Sequence, residues 1–180
     1  MKNNSAIIAD NEAGFTLIEV MIAIAIFAFG ILALAYLEMS VQKLSANSQY
    51  ITTANNAANQ MTGYLWTALG NGSDTSGIMA YDNTSVTASG ISSGASGTTL
   101  SNISAWQQTL LGLNSQDEIL PDTGLPQATG QVTGIVCSAM DGSGNTCSAS
   151  EPCACTANIS ISWQSSTGPE SYQITVPVGF

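Results

Sequence analysis

The 180-residue chain contains no His and no Arg, and its only basic side chains are Lys2 and Lys43. Without His there is no imidazole to serve as general base, proton shuttle or metal ligand. Most hydrolytic triads and zinc sites are thereby excluded. Two Lys against 12 acidic residues give a net charge of −10. That balance excludes nucleic acid as a partner, because binding it requires cations that displace counterions from phosphates. Charge of either sign is scarce, at 8 % of residues, against about 25 % in an average domain. Proline is absent before Pro121, so nothing in the first two thirds of the chain forces a helix to break.

What the chain does have is one long apolar run. Phe15 to Leu37 reads FTLIEVMIAIAIFAFGILALAYL, with only Thr16 and Glu19 strongly polar. As a helix these residues span about 34 Å, enough to cross a bilayer core of ~30 Å. The run is too long for the apolar part of a cleavable secretory signal, which takes about 7–15 residues. An ordinary uncleaved anchor is the plainer reading. Two features speak against it: a carboxylate inside the apolar segment, which costs free energy to insert, and the Gly-Phe junction just upstream.

Gly14-Phe15-Thr16-Leu17-Ile18-Glu19-Val20 resembles the junction of type IV prepilins and type II secretion pseudopilins. The resemblance implies cleavage between Gly14 and Phe15 by a prepilin peptidase on the cytoplasmic side, followed by N-methylation of Phe15. It also implies a role for Glu19 in subunit docking. Cleavage creates a cation at Phe15, and a charge in a low-dielectric setting needs a partner. Parallel helices packed with an axial offset bring Glu19 of one subunit to the Phe15 amine of its neighbour. The leader departs from the usual basic pattern, since Lys2 is accompanied by Asp10 and Glu12.

Beyond the apolar run, Leu37, Val41, Leu44, Ile51, Ala54, Ala58, Met61 and Leu65 recur at spacings of three, four or seven. This is one stripe of an amphipathic helix. A single helix is therefore expected from about Phe15 to Leu69, stopped by Gly70-Asn71-Gly72. Gly30 is its weak point. Of the 34 residues 71–104, 22 are Ser, Thr, Asn or Gly, too many to read as a strand or a helix. Ile78, Met79, Tyr81, Val86, Ile91, Leu100 and Ile103 can pin this stretch to a surface. Ser104 reads as the N-cap of a short helix over 105–111, with Trp106, Leu110 and Leu113 on one face. Apolar/polar alternation predicts strands at 130–136, 157–163 and 172–178, with Gly168-Pro169 as a turn.

This order, with Phe29-Gly30-Ile31-Leu32, the Trp106 helix followed by Leu120-Pro121, and a strand ending at Trp163, is similar to the PilV-type minor pilins. The implied fold is α+β: a long N-terminal helix packed on an antiparallel sheet. The implied organisation is a leader (1–14), a transmembrane or filament-core half of the helix (15–37), and a periplasmic or extracellular domain (38–180). The implied role is non-enzymatic and needs no cofactor. Such proteins act with other minor pilins and the major pilin in a priming complex at the filament tip, on an inner-membrane assembly platform. A type II secretion pseudopilin shares the junction and differs only in its machine. An anchored envelope adhesin with an incidental junction is the alternative from another class.

The four cysteines, Cys137, Cys147, Cys153 and Cys155, fall within 19 residues. Outside the cytoplasm such a cluster forms disulfides rather than a zinc site. If the strands around 130–137 and 155–163 form a hairpin, Cys137 lies near Cys155, and Cys147 reaches Cys153. This nested pairing is preferred to Cys137–Cys153 with Cys147–Cys155. Asp141-Gly142-Ser143-Gly144-Asn145 resembles half of a calcium loop but lacks the closing Glu, since Pro152 occupies loop position 12. It reads as a turn. Asp117, Glu118 and Asp122 read as an exposed acidic loop.

Overall fold

The computed structural model describes residues 15–70, 74–114, 118, 120, 123–140, 147 and 152–179. The chain divides into two compact units, Met1–Leu44 and Ser45–Phe180. One helix, α1, runs through Leu17–Leu69 with no proline to interrupt it. Its Ser and Thr residues do not compete with it. Ser40, Thr52, Thr62 and Thr67 each donate their hydroxyl to the carbonyl four residues back, which satisfies the group inside the helix. Gly70 ends the helix in a left-handed conformation (φ 58°) that side chains with a Cβ rarely adopt.

In the first unit, every described residue from Phe15 to Leu44, including the exposed Lys43, faces solvent. The second unit has its own core. It contains α2 (Ser76–Met79), β1 (Thr84–Thr87), β2 (Gly90–Ser92), α3 (Gly97–Leu111), β3 (Thr129–Ala139), β4 (Cys153–Ser165) and β5 (Gly168–Val178). The strands form one sheet in the order β2-β1-β3-β4-β5, every pair antiparallel. One face of the sheet is apolar: Val132, Ile159, Ile161 and Val176 are buried in a core shared with Ala54, Met61 and Leu65 of α1 and with Ile103, Trp106 and Leu110 of α3. The arrangement is the α+β, type IV pilin-like one.

Several local expectations change. The stretch 71–104 holds α2, β1, β2 and the first turns of α3. Ser104 lies inside α3, whose N-cap is Ser96. The cause is tertiary: Ile103 extends the Trp106–Leu110 stripe backwards and is fully buried. Burial of a stripe outweighs the weak helix propensity of Ser, Thr and Asn. Leu113 lies past the helix end and is only partly buried. Gly168-Pro169 opens β5 instead of forming the turn, which falls at Ser166 and Thr167. There the Ser165 hydroxyl bonds Gly168 O at 2.9 Å. Pro169 is tolerated because β5 is an edge strand. The α1 stripe is buried only from Ala54 onward, whereas Leu37, Val41, Leu44 and Ile51 are exposed.

Long-range hydrogen bonds tie the pieces together. The Trp106 indole donates to Ala57 O at 2.9 Å, and Gln107 Nε2 donates to Thr87 O at 2.7 Å. The ladder between β3 and β4 is irregular between Thr133 and Val136. There the Ile135 N–H bonds the Asp82 carboxylate at 3.2 Å. Gly130 is required in β3 because a Cβ there would lie 2.5 Å from both the Trp106 ring and Leu110 Cδ1.

Two outcomes are expected from denaturant unfolding of the full chain in detergent. Leu65→Ala removes a fully buried side chain and should cost about 2–5 kcal/mol, while Val41→Ala should change domain stability by less than about 0.5 kcal/mol. Tyr81, buried beside Ile78, accepts a hydrogen bond from Asn102 at 2.8 Å. Burial, the larger effect, holds its phenol above the ordinary 10.0. The folded state therefore keeps a proton that the unfolded chain releases above that value, and stability should fall as pH rises past it. Tyr81→Phe should flatten this alkaline limb.

Candidate functional site

Thr16 starts α1. Its carbonyl accepts the N–H groups of Glu19 (3.1 Å) and Val20 (3.3 Å), and its hydroxyl accepts the Glu19 N–H at 3.4 Å. Thr16 is thus an N-cap, and Thr16-Leu17-Ile18-Glu19 has the spacing of a capping box. Glu19 is the acidic residue of the first turn, where the helix dipole favours an anion. The Thr16 contribution is not among the sequence-derived site residues. The Thr-x-x-Glu spacing is the signal that marks it.

Glu19 shares a face of α1 with Phe15, Val20, Ala23, Ile24 and Phe27. The carboxylate is exposed and stands alone among apolar side chains. Phe15 is 82 % exposed and lies just ahead of α1, four residues before Glu19. Gly14 lies outside the described residues. Past Glu19, the next charged residue on α1 is Glu38 and the one after it is Lys43. By length and composition α1 is able to cross a membrane. Its described apolar residues are exposed in the isolated chain, so the surface requires lipid or other subunits as its solvent.

Cys137 lies on β3, Cys153 and Cys155 on β4, and Cys147 in the connection between them. Cys137 and Cys155 are direct partners in the β3–β4 ladder and are joined, with a Cα–Cα distance of 4.0 Å. Cys147 is joined to Cys153, six residues away, across 5.3 Å. No free cysteine is found among the described residues. Cys153 and Cys155 are both buried in the core, so the bridges anchor the connection from β3 to β4.

Of the acidic candidates only Glu118 is among the described residues. Asp117 and Asp122 lie outside the described residues, as do Asp141 to Asn145. Glu118 is exposed, and Asn114 Oδ1 accepts its N–H at 2.9 Å. Among the described residues no group of three or more His, Cys, Asp or Glu is placed to hold a metal.

Residues 10–35 match the family described as the prokaryotic N-terminal methylation motif. No curated protein and no solved structure gives a significant match. The motif is a type IV pilin-like prepilin signal. It points to the pilin and pseudopilin group of structural, non-enzymatic proteins, which a prepilin peptidase processes and a membrane machinery assembles. The matched region covers the Gly14–Phe15 junction, Glu19 and most of the apolar run.

Peptide mapping of the exported protein without reductant should recover Cys137 linked to Cys155 and Cys147 linked to Cys153, with no alkylatable thiol. Reduction should cost about 2–4 kcal/mol per bridge in domain stability and leave the helicity of α1 unchanged. Recovery of four free thiols would count against the bridged arrangement.

Proposed function

We propose that this chain is a minor pilin of a type IV pilus, working in the priming or tip complex that starts or modulates filament growth. The observation that carries the reading is the combination at the head of α1. A prepilin-type motif runs through Phe15 and Glu19, which stand four residues apart at the head of an exposed and predominantly apolar helix.

Before assembly the chain crosses the inner membrane once, with its N-terminus in the cytoplasm and residues 38–180 in the periplasm. The prepilin peptidase cuts after Gly14, whose lack of a side chain leaves the scissile bond open. The released Phe15 amine is then methylated. In the filament, Glu19 of one subunit meets the Phe15 amine of its neighbour. Each charge is poorly solvated alone, so the pair is strongly preferred to either group unpartnered. The pairing selects one axial register before the apolar surfaces close. The exposed stripe Leu37, Val41, Leu44 and Ile51 is then covered by neighbouring subunits: major pilin along the shaft, other minor pilins at the tip.

Three variants expressed in a deletion strain test this reading, with membrane level, leader cleavage and filament incorporation measured separately. Gly14→Val should retain the leader, visible as an intact N-terminus by mass spectrometry. Glu19→Ala should insert at least as well as the parent, since it removes a carboxylate from an apolar segment, yet fail to incorporate. Glu19→Gln should fail nearly as badly, because it keeps shape and hydrogen bonding but not charge. Normal incorporation of Glu19→Gln would overturn the pairing. Separate assays of surface pili and secreted enzymes in the deletion strain assign the machine: loss of secretion with normal pili indicates a type II pseudopilin, and loss of neither indicates an anchored envelope protein.

A further inference from the structure

The sheet has a second face, turned away from the core, and it is polar but uncharged. Strands β4 and β5 alternate throughout and β3 does so as far as Thr133, so Gln131 and Thr133, Asn158 and Ser160, and Gln173 and Thr175 all lie on the outer face. The register sets them in two rows across the strands: Gln131–Ser160–Gln173 and Thr133–Asn158–Thr175. The rows lie about 6.8 Å apart along the strands, with neighbours in a row about 4.8 Å apart. Short Ser160 between two long Gln side chains leaves a hollow of about 390 Å³ lined by these residues.

The chemistry of this hollow is narrow. None of the outward residues of the described strands is charged, although the chain carries a net −10. The Thr175 hydroxyl donates to Asn158 Oδ1 at 2.7 Å and so orients the Asn158 amide. The side chains of Gln131, Ser160 and Gln173 make no hydrogen bond within the described protein, so their donors and acceptors are open to a ligand. The next row towards the disulfides is Val136–Thr156–Pro177. Val136 is 65 % exposed there, which gives the polar hollow an apolar ledge. This ledge follows from the irregularity between Thr133 and Val136 in β3.

Each ligand class meets a different physical test. An anion finds no cation in the hollow and an acidic chain around it. A cation finds no carboxylate. A peptide strand would pair along an edge rather than across this face. A second copy would set hollow against hollow and leave both unfilled. A neutral polyhydroxylated ligand fits: each hydroxyl donates and accepts, as amides and hydroxyls do, and its C–H surface can lie on Val136 and Pro177. We infer that the outer face of β3, β4 and β5 is a binding site for a neutral glycan, with Gln131, Asn158, Ser160 and Gln173 as its hydrogen-bonding floor.

The site belongs to a single chain, so it stands or falls separately from filament incorporation. The test is an array of uncharged oligosaccharides beside sialylated and sulfated ones, probed with the full chain in detergent and followed by titration of the best neutral sugar. Binding to neutral sugars and not to their charged counterparts is expected. The double variant Gln131→Leu/Gln173→Leu should weaken binding at least about tenfold, and Asn158→Asp by a similar factor. Both change exposed side chains, and unchanged thermal unfolding with no free thiol verifies the fold. The inference is overturned by absence of neutral binding, by binding confined to charged sugars, or by binding that survives both variants. It is equally overturned if the variants alter self-association instead, read by sedimentation.

Discussion

The bond from the Trp106 indole to the Ala57 carbonyl spans 49 residues and holds the second unit together at its centre. It is possible only because the facing residues of α1 are small. Ala54, Ala57 and Ala58 are essentially inaccessible, and their lack of bulk leaves room for the Trp106 indole to reach the helix backbone. The same ring presses on Gly130 of β3, where nothing larger fits. A helix, a second helix and a strand therefore meet at one indole. Removing it would both open a cavity and disturb the packing over Gly130.

The two parts of α1 live under opposite rules. From Ala54 to Leu69 one stripe is buried and the other sides carry Asn, Gln and Thr, as in a soluble amphipathic helix. From Phe15 to Leu44 the surface is predominantly apolar, and every described residue on it is exposed. Such a surface is stable only in lipid or against other apolar helices. The single carboxylate at its head is tolerable because Thr16 and the helix dipole favour an anion in the first turn. The same position leaves that charge available to a neighbour.

The long helix was legible because a 3.6-residue period persists over many turns with no proline. The three C-terminal strands were legible because Ile159, Ile161 and Trp163, then Ile174, Val176 and Val178, alternate with polar residues. Residues 71–104 were not, since their few apolar side chains are separated by Ser, Thr and Gly that have no preference of their own. Only the folded core shows that Ile78, Tyr81, Val86 and Ile103 are buried. The end of the buried stripe at Ala54 was equally hidden, because apolar spacing continues unchanged into residues that the domain does not reach. At the candidate site, Gly14, Phe15 and Glu19 stand out by motif. The cap at Thr16 needed a spacing rule applied to the same few residues, and the outer face of the sheet needed the strand register.

Lys43 has a consequence of a different kind. Between Phe15 and Phe180 it is the sole Lys or Arg, it is exposed, and it lies next to Leu44, the last residue of the first compact unit. A protease of trypsin-like specificity thus has one peptide bond to recognise in this whole span, Lys43–Leu44, ahead of the first residue of the second unit and outside its core. Digestion by such an enzyme detaches residues 44–180 in one piece and then stops, leaving a chain that can be severed but not eroded.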